Sequence, residues 1–117
     1  MIKAKAKGYR SENKVRHLLE RKGWKVLRAG SSLGDADLIC IRKGKCIMLQ
    51  IKSTNKKKLY YYGYTKDTYE GFPFLLVVDF GYGNIRIMKP TNVVKDNNGT
   101  PIEDYLNVNE FPVEAME

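Results

Sequence analysis

The stretch "ADLICIRKGKCIMLQIKS", residues 36–53, decides how this chain folds. Two apolar runs flank Lys43-Gly44, and a two-residue connection is the commonest hairpin turn. With Arg42 opposite Lys45, Asp37 falls opposite Gln50, Ile39 opposite Met48 and Ile41 opposite Cys46. Side chains alternate across a strand, so Asp37, Gln50 and Lys52 share one face. Asp35 faces Lys52 if the strand extends that far. The other face carries Ala36, Leu38, Cys40, Ile47, Leu49 and Ile51, all apolar. Runs with so little polar alternation predict a central pair of strands covered on both sides. The same register puts Cys40 and Cys46 on opposite faces, which argues against a bond between them.

Outward from the hairpin, "RSENKVRHLLERKGW" (10–24) reads as a helix, with Val15, Leu18, Leu19 and Lys22 at helical spacing. Ser11 is its expected N-cap and Gly23 its stop. "WKVLRA" (24–29) is a short strand and "GSSLGD" (30–35) a loop of small residues. "FLLVVDF" (74–80) and "IRIMK" (85–89) are further strands around the turn "GYGN" (81–84). Pro90 closes that unit. The remainder reads as loop with one short helical turn near Tyr105. The order predicts one α/β domain over 1–117, with a central mixed β-sheet flanked by helices.

Charge narrows the function. The chain of 117 residues carries +8, yet residues 101–117 hold five acids and no Lys or Arg. Residues 1–100 therefore hold 21 basic against eight acidic side chains, an excess of 13. That balance favours a polyanionic partner, because neutralised phosphates release counterions. No basic amphipathic helix with a broad apolar face points to a membrane. The start "MIKAKAKGYR" has no apolar core of a signal peptide, so an intracellular setting is the default. Two cysteines make no disulfide framework, and with His17 the single histidine a Cys/His zinc site is excluded in practice.

Glu12 precedes Val15 by three residues and Leu19 by seven, so it shares the core-facing stripe of the helix. A carboxylate aimed at a core is costly unless something positive meets it, and Asp37 has the same difficulty. A divalent cation answers both. Mg²⁺ takes oxygen ligands, commonly one or two carboxylates with water and substrate phosphate. Gln50 can add a carbonyl oxygen. Lys52 can orient or deprotonate an attacking water, or stabilise charge on the phosphorane. Each residue alone has a plainer reading: Glu12 as a first-turn acid, Asp37 as a strand-start cap, Lys52 as a snorkelling side chain. The joint arrangement is the signal, and it supplies parts for phosphodiester hydrolysis.

"GDADLICIRKGKCIMLQIKS" resembles the core motif of the PD-(D/E)xK, or restriction-endonuclease-like, nuclease superfamily. "GYRSENKVRHLLERKGWKVLRAGSS" is similar to the beginning of the archaeal and viral Holliday junction resolvases, and the resemblance covers residues 7 to 54. It implies a restriction-endonuclease-like core and Mg²⁺-dependent endonuclease activity, with Mn²⁺ able to substitute. It also implies a homodimer that makes paired nicks across a four-way DNA junction. Glu12 matches the helix carboxylate, Asp37 the strand aspartate and Lys52 the catalytic lysine. Ser31 or Ser32 matches the serine near the active site; Ser32 is assigned to catalysis and Ser31 to DNA contact. The resemblance thus implies metal ligation by Glu12, Asp37 and Gln50. Two departures stand out. Gln50 occupies the place of the usual Glu, and no helical period follows Ser53.

"KKKLYYYGYTKDTY" (56–69) carries four lysines and five tyrosines. Lysine neutralises phosphate, and tyrosine stacks on splayed bases or donates to phosphate. Lys56, Lys57, Lys58, Tyr60 and Tyr62 are therefore expected DNA contacts. The plainer reading is an exposed strand whose alternate tyrosines pack on the sheet. In "KAKAKGYR", Lys5, Lys7 and Arg10 are a candidate backbone clamp. Three rivals to a junction resolvase remain. They are the same chemistry on another DNA structure, a DNA-binding relative impaired by Gln50, and an interaction protein whose acidic tail covers its basic body.

Overall fold

Val15 and Leu19 stand one helical turn apart on the first element, α1 (Ile2–Arg21), and both are fully buried. The structure, a computed structural model, describes residues 2–30 and 36–108, with side chains over 8–30 and 36–107. Helix α1 ends as the sequence predicts. Gly23 takes φ 91°, its N–H reaches Glu20 O at 3.1 Å, and Trp24 N–H reaches Leu19 O at 3.1 Å. That pair of bonds satisfies carbonyls that the helix end would leave bare. The start differs. The helix runs back through the Lys/Ala-rich segment, whose residues are good helix formers. Ser11 therefore caps nothing. It is buried inside the helix, and its Oγ donates to Asp79 Oδ2 at 2.8 Å. A hydrogen bond to a charged group stabilises by about 1.5–3 kcal/mol. This one ties α1 to a residue 68 positions along the chain.

Strands β1 (Lys25–Arg28), β2 (Leu38–Arg42) and β3 (Lys45–Ser53) follow. Next come β4 (Lys58–Tyr60), β5 (Thr68–Tyr69), β6 (Phe72–Asp79) and β7 (Ile85–Met88). Then β8 (Val93–Lys95), β9 (Thr100–Pro101) and the helix α2 (Ile102–Val108) complete the described chain. The main sheet has the order β1-β2-β3-β6-β7-β9, with β5 joining β6 as a seventh strand. Only β3 and β6 run parallel, so the sheet is mixed. The β2–β3 register is the one read from the sequence, from Arg42↔Lys45 to Leu38↔Leu49. Lys43 (φ 49°) and Gly44 (φ 80°) are both left-handed, as a two-residue hairpin turn with the right twist requires.

Both helices lie on one face. Leu38, Cys40, Ile47, Leu49, Val77, Ile85 and Ile87 form a core there with Val15 and Leu19 of α1 and Ile102 and Leu106 of α2. The tail thus holds two helical turns where the sequence suggested one. On the other face Leu76, Val78 and Phe80 meet Tyr61 and Val94, carried in by the ribbon β4–β8. Ala36 departs from its predicted side. It packs with Met48 and Phe74, because regular alternation begins only at Leu38. The connection from β3 to the parallel β6 contains no helix. Tyr64 and Tyr69 wedge against Phe74 instead, with ring centroids at 4.7 and 6.5 Å.

Cys40 sits in the helix-side core while Cys46 is half-buried opposite Ile41, and both are free. Burial, then the neighbouring Cys46, pushes the Cys40 thiol from 9.0 up to about 12. The unfolded thiol ionises near its ordinary value, so unfolding releases a proton between those limits. Stability from this group is complete below pH 9 and falls as pH rises toward 12. Tyr105, pushed up by burial and then by Cys40, adds to the loss in base. Iodoacetamide at about pH 8 is expected to modify Cys46 in the native protein and Cys40 only in denaturant. Cys40→Val should remove part of the alkaline loss in chemical denaturation. Equal labelling of both thiols in the native state would contradict the enclosure of Cys40.

Candidate active site

Strands β2 and β3 part at Asp37. The last strand pair is Leu38↔Leu49, and Asp37 N–H still reaches Leu49 O at 2.8 Å. The next donor on this side of β3 is Ile51 N–H. No backbone carbonyl of β2 takes it; Asp37 Oδ2 does, at 2.7 Å. The same oxygen accepts from Gln50 Nε2 at 3.0 Å. Asp37 O in turn accepts from Ala29 N–H at 3.0 Å, which fixes the end of β1 to the fork. One residue therefore ties three strand ends, and among the described residues its Oδ1 carries no hydrogen bond.

Glu12 approaches the same place from α1. Its side chain is 19% exposed and its Oε2 accepts from Arg28 Nε at 2.8 Å. Arg28, the last residue of β1, also holds its guanidinium 5.5 Å from the centroid of the Tyr9 ring. Glu12, Arg28, Ala29, Gly30 and Asp37 line one cleft of about 360 Å³. The two carboxylates expected to meet do share a site. Arg28 answers Glu12 directly, where the sequence suggested a cation as the answer. Extending the hairpin register one strand outward pairs Arg28 with Leu38, next to Asp37. That step would have found it.

Gln50 is buried, and its amide is engaged at both ends. Nε2 donates to Asp37 while Oε1 lies 3.4 Å from Tyr61 Oη. The Tyr61 hydroxyl makes its shorter bond, 2.9 Å, to Tyr64 O. With a single proton to give, it holds Gln50 only weakly. As placed, the Gln50 carbonyl turns toward Tyr61 and away from Asp37. Lys52 lies two residues further on the same strand face, exposed. Among the described residues no group of three or more His, Cys, Asp or Glu gathers for a metal ion. The donor set is two carboxylates plus one amide. That set fits a hard cation with water and phosphate oxygens completing its shell, once the amide turns over.

Ser31, Ser32 and Asp35 lie outside the described residues, as do the side chains of Lys5 and Lys7. Arg10 is exposed and lines a hollow with Ser11, Lys14, Asp79 and Gly81. Asp79 interrupts an apolar strand and is buried. It meets the Ser11 hydroxyl and Gly81 N–H, both at 2.8 Å. The tyrosine-rich segment divides. Tyr61 is fully buried, while Tyr60 and Tyr62 are exposed beside exposed Lys56, Lys57 and Lys58. Lys58 Nζ stands 5.7 Å from the Tyr60 centroid. His17 is exposed, 3.7 Å from Glu20. No helix among the described residues is long and apolar enough to cross a membrane.

A family model described as archaeal Holliday junction resolvase (hjc) matches residues 3–65. The crossover junction endodeoxyribonuclease Hjc of Methanocaldococcus jannaschii is 39% identical over 54 residues, 46% of this chain. That match spans 40% of the length of the relative. The structure of Archaeoglobus fulgidus Hjc, a Holliday junction resolvase, superposes with a TM-score of 0.66 over 85% of this chain and 99% of that one. At 14% identity the superposition establishes the α/β fold.

Proposed function

Because this chain belongs to the archaeal Holliday junction resolvase family, within the restriction-endonuclease-like superfamily, we propose that its cleft hydrolyses phosphodiesters of four-way DNA junctions with the help of Mg²⁺. The observation that carries this reading is the pair Glu12 and Asp37 lining one cleft at the hairpin fork that also bears Gln50 and Lys52. Asp37 Oδ1 and Glu12 would hold the ion, and Mn²⁺ would serve the same donors. The Gln50 carbonyl joins them when its amide rotates through a half-turn, exchanging the bond to Asp37 for a donor contact to Tyr61. A bound divalent cation polarises a phosphate oxygen and lowers the pKa of its water.

The chain's own groups do the rest. Arg28 presents a planar fork that suits a phosphate as well as a carboxylate, so it can clamp the substrate beside the scissile bond. Lys52, on the same face of β3 as Gln50, would orient the attacking water and take up developing negative charge. Ser31 and Ser32, which lie between β1 and Asp37 in the sequence, would contact the same phosphate. Lys56, Lys57, Lys58, Tyr60 and Tyr62 would track the DNA arm beyond β3, and Lys5, Lys7 and Arg10 would grip backbone along α1.

A second copy would complete the junction reader. Leu27 and Ile41 are exposed on the face of β1–β2 that carries neither helix, flanked in register by Ile39 and Cys46. Sedimentation should find a dimer, and Ile41→Lys a monomer; a dimer unaffected by that change would place the interface elsewhere.

One observation favours a binding protein without cleavage: the Gln50 amide presents N–H, not oxygen, to Asp37. End-labelled four-way junctions, with their linear arms as controls, decide between the two. Mg²⁺ should give paired nicks confined to the junction, and EDTA should abolish them. Asp37→Asn and Lys52→Ala should slow cutting about 100-fold or more while leaving binding intact. Gln50→Glu restores a charge and should tighten Mn²⁺ binding by about tenfold, read by calorimetry. Tight junction binding with no nicks in Mg²⁺ or Mn²⁺ would leave only the binding reading.

A further inference from the structure

Gly81-Tyr82-Gly83-Asn84 joins β6 to β7, closed by Asn84 N–H to Gly81 O at 3.0 Å and Phe80 N–H to Asn84 O at 2.9 Å. Three successive residues there are left-handed: Gly81 at φ 89°, Tyr82 at 54° and Gly83 at 80°. Glycine accepts that conformation freely, whereas a bulky aromatic is strained in it. Tyr82 gains nothing from the fold in return. Its relative exposure is 107%, and among the described residues its ring stacks on no other ring and its hydroxyl has no partner. Asn or Gly would make the same turn at lower cost. Such a side chain is free to serve a ligand outside the chain.

Its surroundings indicate what. Tyr82 lines a groove of about 300 Å³ with Asn55, Lys56, Lys57, Phe80 and Asp96. The lysine segment is tied to the end of β6 by Thr54 N–H to Asp79 O and to the residue after β8 by Asp96 N–H to Lys57 O, both at 3.0 Å. Lys56 and Lys57 supply positive charge for a phosphate. Tyr82 supplies a free aromatic face, and the Asp96 carboxylate supplies an acceptor that repels phosphate but suits the amino group of a base. The groove lies at the sheet end that carries Lys52, because Ser53 pairs with Asp79 at the foot of this hairpin.

Resting on the junction-cleaving reading above, we propose that this groove takes one unstacked nucleotide of the branch point. Its base lies on Tyr82 and its phosphate between Lys56 and Lys57. The hairpin tip thus reads the opened base step that distinguishes a junction from linear duplex.

The test is a four-way junction carrying 2-aminopurine at the branch, titrated in EDTA with the full chain and with Tyr82→Asn, Tyr82→Ala and Tyr82→Phe. The unsubstituted chain and Tyr82→Phe should change the 2-aminopurine emission on binding. Tyr82→Asn and Tyr82→Ala should lose that change and bind the junction about 5- to 150-fold more weakly, the range for loss of one base stack. Linear duplex affinity should stay the same. Tyr82→Asn should also melt at the same temperature or higher, since it relieves the left-handed strain. Junction binding and emission unchanged in Tyr82→Asn would overturn the proposal while leaving the nuclease reading in place. Binding lost together with melting temperature would also overturn it, as a structural role. Absence of junction binding by the unsubstituted chain would instead bring down the reading on which it rests.

Discussion

The bond from Ile51 N–H to Asp37 Oδ2 is the constraint on which the site depends. An antiparallel ladder that simply stops leaves bare donors on its longer strand, and a buried bare donor costs about 1–3 kcal/mol. Asp37 lets β2 leave β3 without that cost. It also fixes its own carboxylate at the fork, with one oxygen committed to the backbone and to Gln50 and the other without a hydrogen bond among the described residues. The acid that the proposed site would use and the cap that the sheet needs are the same group. Asp37 therefore cannot drift from the strand end, and Gln50 and Lys52 keep their places relative to it through the strand that it caps.

A second tie brings α1 into position. Ser11 Oγ to Asp79 Oδ2 joins the middle of the helix to the end of β6. Val15 and Leu19 then sink into the core beside it, and Glu12, one position beyond Ser11, is carried to the fork. The geometry of Glu12 is set by Ser11, Val15 and the sheet together. Its ion pair with Arg28 is a consequence of that placement, since Arg28 ends the strand that Asp37 O holds through Ala29.

What was legible in the sequence follows from these causes. The hairpin register was readable because a two-residue turn and a period of two leave one solution that separates polar from apolar faces. The meeting of Glu12 with Asp37 was readable from helical spacing. Ser11 was misread because serine is both a preferred cap and a small hydroxyl that fits inside a helix when an acid faces it. Only the tertiary partner, 68 residues away, decides between those roles. The tyrosine run was ambiguous for a similar reason. Tyr61, just beyond β4, is buried because its N–H bonds Asn92 O and its ring joins Val94 against the sheet, contacts between distant segments, whereas Tyr60, paired with Val93, and Tyr62 stay exposed.

Charge balance explains how Gln50 can stand where a second acid is usual. In the cleft Glu12 and Asp37 stand with Arg28, and Lys52 lies exposed on β3 two residues beyond Gln50. Arg28 pairs with Glu12 and the Gln50 amide bonds to Asp37, so each carboxylate has a partner. A glutamate at residue 50 would upset that balance beside Asp37, 3.0 Å away, and would need a cation to be tolerated. The amide instead bonds to Asp37 and asks nothing of solution ions. Under the proposed function, a cleft with one acid fewer would draw a cation more weakly than one with three, and would favour its arrival together with a phosphate. The phosphate would give Arg28 a new partner when Glu12 turns to the ion. Gln50 would thereby couple ion binding to DNA binding, which a site with three acids has no electrostatic reason to do.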